Sequence, residues 1–352
     1  MKKLSAIPLS LTFTGCFLGA GYVSGQEPYQ FFGAFGIYGI IGLFVSVALL
    51  ALMNGMIVKI VCSTGCPQID KTVVGYDNKY LLFSVGVLEN IIFFGSYIVM
   101  AAGAGALVKK LAGGQYSHII GSFIFCVAIS FIAIKGIRGL VRIFSGAVPI
   151  LVVMTFAVGV AATIIYGRNG FSITPSTEFN PFIPNWVAGA ATFASYNLFC
   201  SIGVLCPVAL QIKSRKSAFA GTILGCVFLI LVAFSVMFSM AVLPESQKVD
   251  LPMLVVAENL SPVIMYIYAF LLFISMAGAS LACLIPTVTY LAQYSKRAEK
   301  HGAAVTFILS GIAFVCSCFG FADLVGTLFS SFGYISLVGV AGLVWHYIRV
   351  RK

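Results

Sequence analysis

The stretch Thr14-Gly15-Cys16-Phe17-Leu18-Gly19-Ala20-Gly21-Tyr22-Val23-Ser24-Gly25-Gln26-Glu27 decides how this chain is read. It is apolar enough to enter a membrane, yet poorly suited to a regular membrane helix. Four glycines and a carboxylate fall between Gly15 and Glu27. Counted from an inner boundary near Leu4, a rise of about 1.5 Å per residue puts Gly15 to Gly19 close to the bilayer midplane. Close packing of helices through small residues accounts for the glycines, but not for Gln26 and Glu27. The stretch predicts a helix unwound near Gly19 to Ser24.

The composition around it points to lipid as the solvent. Apolar residues fill 60% of the 352 positions and charged residues only 9%, against about 25% charged in soluble domains. The excess of 21 Lys and Arg over 10 Asp and Glu suits anionic headgroups, and nucleic acid is not an expected partner. Met-Lys-Lys and the apolar run after it resemble a secretory signal without a cleavage site, so a retained span is expected. Apolar runs of membrane-crossing length appear at 5–33, 37–61, 79–108, 115–134, 140–166, 185–209, 217–243, 262–294, 302–320 and 324–348. An open sheet in lipid would leave its edge amides unpaired and strand-period alternation is absent, which leaves an all-α integral membrane protein of ten transmembrane helices.

Charge sidedness gives the orientation. With the N-terminus inside, seventeen Lys and Arg lie on the inner side, and only Lys109, Lys110, Arg168 and Lys248 lie outside. This asymmetry predicts a multi-pass plasma-membrane protein with both termini cytoplasmic. The outer segment from Pro244 to Leu260 is acidic, and its LPMLVVAENL portion is expected as a short amphipathic helix on the membrane surface.

The sixth span carries a second irregularity, Thr192-Phe193-Ala194-Ser195-Tyr196-Asn197-Leu198, whose polar triplet can hydrogen-bond backbone that leaves the helical ladder. Spans one and six become equivalent if the chain is two five-helix repeats, 1–166 and 185–352. Five is odd, so the second repeat enters the membrane inverted. Discontinuous helices opening each half would then supply backbone groups for substrate and ions at the midplane.

The run FLGAGYVSGQE followed by FFGAFG, with SYNL in span six, resembles the YkvI-like amino-acid permeases of the amino acid, polyamine and organocation superfamily. That resemblance covers essentially the whole chain and implies the LeuT-type 5+5 fold with helices one and six broken, while leaving the substrate open. It implies a central site between those breaks and faces of helices three and eight. It also implies an ion position formed by the carbonyls of Gly15 and Leu18, the Ser280 hydroxyl and the Met276 carbonyl. Ala279 stands before Ser280 where sodium-coupled members have two adjacent hydroxyl residues, and no lysine occurs from Arg142 to Gly167, where some proton-coupled relatives have one. Sodium and proton therefore both stay open as coupling ion, and no other cofactor is expected.

Glu27, Glu89 and Asn90 sit where hydrocarbon makes them costly, which marks them as functional candidates. Ser24-Gly25-Gln26-Glu27 also matches a capping box, with Ser24 capping a restarted helix and Glu27 reaching back to the cap amide. The alternative role for Glu27 is to pair with a substrate ammonium or carry the coupled proton. Gly19, Ala20, Gly21, Ser24, Gln26, Glu27, Glu89, Asn90, Ser195, Tyr196 and Asn197 form the expected substrate site, with Asn197 in direct contact and Tyr196 as an aromatic wall or gate.

The function expected is secondary active transport of a small polar solute, an amino acid or related zwitterion, by alternating access coupled to sodium or protons. An uncoupled facilitator or channel is the alternative. No His-Glu-x-x-His or Gly-x-Gly-Asp motif occurs, and His118, His301 and His346 lie near span ends, so an enzyme is not expected. Six of the ten cysteines sit inside apolar segments as small hydrophobes, and Cys62 with Cys66 has no nearby histidine, so no metal site is expected.

Overall fold

The computed structural model describes residues 5–7, 9–10, 14, 19–66, 68–75, 78–135, 138–167, 180–212 and 214–351. Two short helices, α1 (Ala20–Ser24) and α2 (Gln26–Phe31), occupy the glycine-rich stretch. A 3-10 turn follows at Gly33–Phe35, and then come α3 (Ile37–Thr64), α4 (Ile69–Val74), α5 (Lys79–Ala112), α6 (Ser117–Lys135) and α7 (Arg138–Tyr166). The second half contains α8 (Trp186–Ala209), α9 (Arg215–Val242), α10 (Pro252–Leu260), α11 (Pro262–Tyr294), α12 (Lys296–Lys300) and α13 (Gly302–Ser317). The last span is composite: α14 (Phe321–Leu324), a π-helical turn at Val325–Phe329, and α15 (Ser330–Arg351).

Local chemistry sets many of these ends. The Asn78 side chain accepts from the Tyr80 and Leu81 amides at the start of α5, Asn185 accepts from Ala188 at the start of α8, and Ser214 accepts from Ser217 at the start of α9. Each cap satisfies amides that have no partner inside the helix.

Seven helices among the described residues are long and apolar enough to cross a membrane, fewer than the ten spans expected. The other three expected spans are accounted for separately. The first is described only in part, 185–209 is the continuous helix α8, and 302–320 is the shorter apolar helix α13.

Helix α5 is the axis of the assembly. From Gly95 to Leu107 every residue is buried, and small residues in the run Ala101-Ala102-Gly103-Ala104-Gly105-Ala106 let α11 approach at Gly103 and α6 at Gly105. Helix α8 packs chiefly between α3 and α15, and α7 against α9.

Two expectations are corrected here. The sixth span is not unwound at Ser195 to Asn197, because α8 runs unbroken through those residues. The polar side chains are satisfied within and beside the helix: Ser195 Oγ bonds the Thr192 and Gly333 carbonyls at 3.0 and 2.6 Å, and Asn197 Nδ2 donates to the Phe193 carbonyl at 3.0 Å. They are therefore not needed to pair backbone freed from the ladder.

The second correction concerns LPMLVVAENL. It is helical as α10, but Pro252, Met253, Leu254, Val256 and Ala257 are buried against α7 and α11 rather than facing lipid headgroups. A salt bridge of 2.6 Å from Lys110 Nζ to Glu258 Oε2 ties α10 to the end of α5.

Candidate functional site

The single helical turn α1 is bounded by two glycines outside the helical conformation. Gly19 is extended (φ −68°, ψ 171°) before α1, and Gly25 between α1 and α2 is left-handed (φ 94°, ψ −14°). Gly25 also lies under α10, where an added Cβ would meet Pro252 and Met253 at 3.1 and 3.2 Å. Conformation and space both demand glycine there.

Side chains satisfy the backbone that leaves the ladder. Ser24 Oγ donates to the Gly21 carbonyl at 2.9 Å, the Gly25 amide donates to the Tyr22 carbonyl at 3.3 Å, and the Tyr268 hydroxyl of α11 donates to the Val23 carbonyl. The Tyr22 hydroxyl reaches the Leu229 carbonyl of α9 at 2.8 Å. The turn is thus held by the helices around it.

The capping box is not formed. The cap residue of α2 is Gly25, without a side-chain bond, and Ser24 Oγ accepts only the Gln26 amide, at 3.4 Å. Gly25 reverses the chain, so Glu27 folds over the preceding turn and not toward the cap amide.

Glu27 Oε2 lies 2.8 Å from where a Cβ on Gly21 would sit, with the Phe329 ring at 3.3 Å from the same point. Glu27 is 3% exposed and its Oε1 has no hydrogen-bond partner. Asn197 of α8 is its polar neighbour. Beside it Tyr196 stacks on Phe329, centroids 5.0 Å apart and planes 15° apart, with Phe31 and Phe193 at 5.8 Å. The Tyr196 hydroxyl also has no partner. One carboxyl oxygen and a phenol hydroxyl, neither with a hydrogen-bond partner, therefore lie at an aromatic cluster, a combination that accommodates an ammonium group.

A cavity of about 820 Å³ opens at the end of the bundle that carries Lys109, Lys110 and Lys248. Gln26, Gln30, Asn180, Asp250 and Asp323 line it, but Glu27, Tyr196 and Asn197 do not. Amide groups fasten the wall between the two. Gln30 Nε2 donates to the Ala322 carbonyl at 2.9 Å, and Asn180 Nδ2 donates to the Gly326 carbonyl at 2.9 Å and to Gln30 Oε1 at 3.3 Å. Gln26 Nε2 donates to the Val249 carbonyl at 3.1 Å.

Of the expected site residues, Gly21, Glu27, Tyr196 and Asn197 come together, and Gln26 forms the vestibule wall. Ser24 and Ser195 are committed to local hydrogen bonds. Gly19 lies beside Met100, whose methyl is 4.0 Å from the position of a glycine Cβ, and Ala20 opens the helical turn α1. Glu89 and Asn90 are elsewhere: Glu89 precedes Met100 by eleven residues of α5, about 16 Å along its axis.

The ion position is only half described. Gly15 and Leu18 fall outside the described residues, while Met276 and Ser280 are buried in α11 and Ser280 Oγ lacks a partner among them. The same partnerless group of buried polar atoms includes Glu89 Oε1 and Asn90 Oδ1.

Three contributors had no strong sequence signal. Phe329 sits on the π turn, a deviation often found at functional sites, within a stretch that looks like ordinary apolar helix. Gln30 and Asn180 are isolated amides whose pairing joins residues 150 apart in sequence. A polar side chain at the edge of a span was the only available hint.

The architecture is that of LeuT-type membrane transporters. Over 95% of this chain and 87% of the other it superposes on the structure of MhsT in complex with L-phenylalanine, with TM-score 0.64 and 14% identity. Mhp1, a nucleobase-cation-symport-1 family transporter in a closed conformation with bromovinylhydantoin bound, matches with TM-score 0.58 and 15% identity over 93% of this chain and 74% of that one. In sequence the chain is 25% identical over 97% of its length to the uncharacterized membrane protein YkvI of Bacillus subtilis (strain 168), covering 96% of that protein. The resemblance noted from FLGAGYVSGQE is thus borne out across the chain. No family model matches.

Proposed function

We propose that this protein is a secondary active transporter of an amino acid or related zwitterion, working by alternating access. The observation that carries the proposal is that Glu27 Oε1 and the Tyr196 hydroxyl, both buried, have no hydrogen-bond partner. Both are sealed inside an aromatic enclosure at a helix break, one layer below an open vestibule. A buried carboxyl with an oxygen left unpaired and no cation beside it is expensive, and a substrate ammonium relieves that cost directly. The aromatic faces of Tyr196, Phe193 and Phe329 add attraction for the same cation. MhsT, similar in fold, binds L-phenylalanine, which supports the amino-acid class.

In this reading the ten spans form inverted repeats over 1–166 and 185–352, with both termini cytoplasmic in the plasma membrane. The break in the first span at Gly19 and Gly25 supplies the discontinuity, while the second repeat contributes an intact helix at Tyr196 and Asn197. Coupling is to sodium or to protons: Ser280 with Met276 would serve the first, Glu27 the second. No chemistry is asked of the site beyond binding and release.

Thermal stabilisation of the purified protein by a panel of amino acids, with and without sodium, tests the reading, because a ligand that binds only the folded state raises its stability. Flux into vesicles with and without ion gradients separates a coupled transporter from an uncoupled facilitator. No stabilisation and no flux across the panel would overturn the amino-acid assignment.

A further inference from the structure

A second buried acid lies at the end of the bundle away from the vestibule. Glu89 of α5 is 6% exposed and its Oε1 has no hydrogen-bond partner. It is seventeen residues from Ala106 of the vestibule wall, about 25 Å along the helix, and well below the level of Gly19. Among the described residues, Asp70 of α4, the Cys206 thiol of α8 and the Tyr290 phenol of α11 interact electrostatically with it. None of these is a cation. A carboxyl placed there for structure alone carries a burial cost of at least about 2.5 kcal/mol in a membrane helix, and its Oε1 gains no hydrogen bond in return.

Helix α4 covers this region, packed against α5, α8 and α15 and tied to α8 and α15 by hydrogen bonds. Thr72 is buried, its hydroxyl accepting from Cys206 Sγ at 3.7 Å and its carbonyl from His346 Nδ1 of α15 at 2.8 Å. Gly75 ends α4 at φ 66°, and a Cβ there would meet the His346 ring at 2.6 Å. Packing and these bonds together seat α4 between α5, α8 and α15.

We propose that Glu89 is a proton-binding station separate from Glu27, covered by α4, from which a coupled proton is exchanged with the side of the membrane opposite the vestibule. This rests on the transporter reading and deepens it by choosing the proton. What singles out the proton at this position is that the acceptor on offer is one buried carboxyl oxygen, Glu89 Oε1, without a partner. A proton needs one carboxyl oxygen. It binds to and leaves the Glu89 carboxyl reversibly, so no redox partner or leaving group is involved.

The test uses the full-length protein and Glu89→Gln, which keeps the shape of the side chain. Infrared spectroscopy across a pH series should show a carboxylic-acid carbonyl band that titrates in the wild type, survives Glu27→Gln, and is missing in Glu89→Gln. Identical spectra with and without Glu89 would overturn the proposal, whatever the protein transports. In vesicles given a mixture of radiolabelled amino acids, Glu89→Gln should lower uptake driven by a pH gradient by at least about tenfold. Amino-acid exchange, which needs no net proton movement, should stay near the wild-type rate.

Undiminished gradient-driven uptake would also overturn the proposal, as would loss of exchange and uptake together in a protein that melts normally, since Glu89 would then act on substrate binding. If the wild type moves none of the amino acids, the amino-acid reading fails instead, and the infrared band still decides the role of Glu89.

Discussion

Replacing Glu27 by Gln separates shape from charge at the centre of the site. The structure removes the objection that such a change would damage a helix cap, because Gly25 rather than Ser24 caps α2 and Glu27 makes no capping bond. The amide keeps one acceptor oxygen for Asn197 and puts an NH2 with two donors where Oε1 has no partner, a cost set against removal of the charge whose burial is expensive. The melting temperature should therefore stay near that of the wild type or rise. What disappears is the attraction to a substrate ammonium, a charge-assisted hydrogen bond worth about 1.5 to 3 kcal/mol, or roughly a 10- to 150-fold loss of affinity. Substrate binding to purified protein and uptake into reconstituted vesicles measure it. Unchanged affinity together with unchanged uptake would refute the assignment of Glu27 as the ammonium partner. A collapsed melting temperature would show instead that the carboxyl holds the fold.

Gly21→Ala places a methyl group 2.8 Å from Glu27 Oε2 and 3.3 Å from the Phe329 ring. Overpacking of about 1 to 3 kcal/mol is expected, and substrate affinity should fall even if the protein still melts cooperatively. Tyr196→Phe removes a hydroxyl that has no partner within the protein, so stability should hold or rise. If that hydroxyl meets substrate, affinity should drop by about 1 kcal/mol, roughly fivefold, and equal affinity would confine Tyr196 to an aromatic wall. For topology, a cysteine at Phe182 on the vestibule rim should react with an impermeant thiol reagent in intact cells, and one at Ser214 should not. The reverse pattern would invert the orientation and the charge-sidedness argument with it.

Much of this protein was determined by sequence alone, wherever the information is local. Hydropathy over about twenty residues marks where helices lie, because lipid forces the backbone to bond within its own segment, and most helix bounds follow the apolar runs to within a few residues. Glycine at 25 was legible as a point of irregular backbone, since a left-handed turn and a close approach by Pro252 and Met253 both require the absence of a Cβ. Glu27, Glu89 and Asn90 could be singled out because an ionisable or amide group in hydrocarbon is costly wherever it points.

Tertiary structure alone decided where those groups point and whom they meet. Whether Ser195 and Asn197 free the backbone or bond to their own helix depends on side-chain geometry, and the ladder of α8 kept them. A capping box and a turned-in carboxylate share the letters Ser24-Gly25-Gln26-Glu27, and the left-handed Gly25 chose the second. The stacking of Tyr196 on Phe329 and the pairing of Gln30 with Asn180 join residues more than a hundred positions apart, so no window of sequence contains them. The same is true of the distance between the two acids: Glu27 and Glu89 look alike on hydropathy, and only the packing of the first span against α5 places them at different depths.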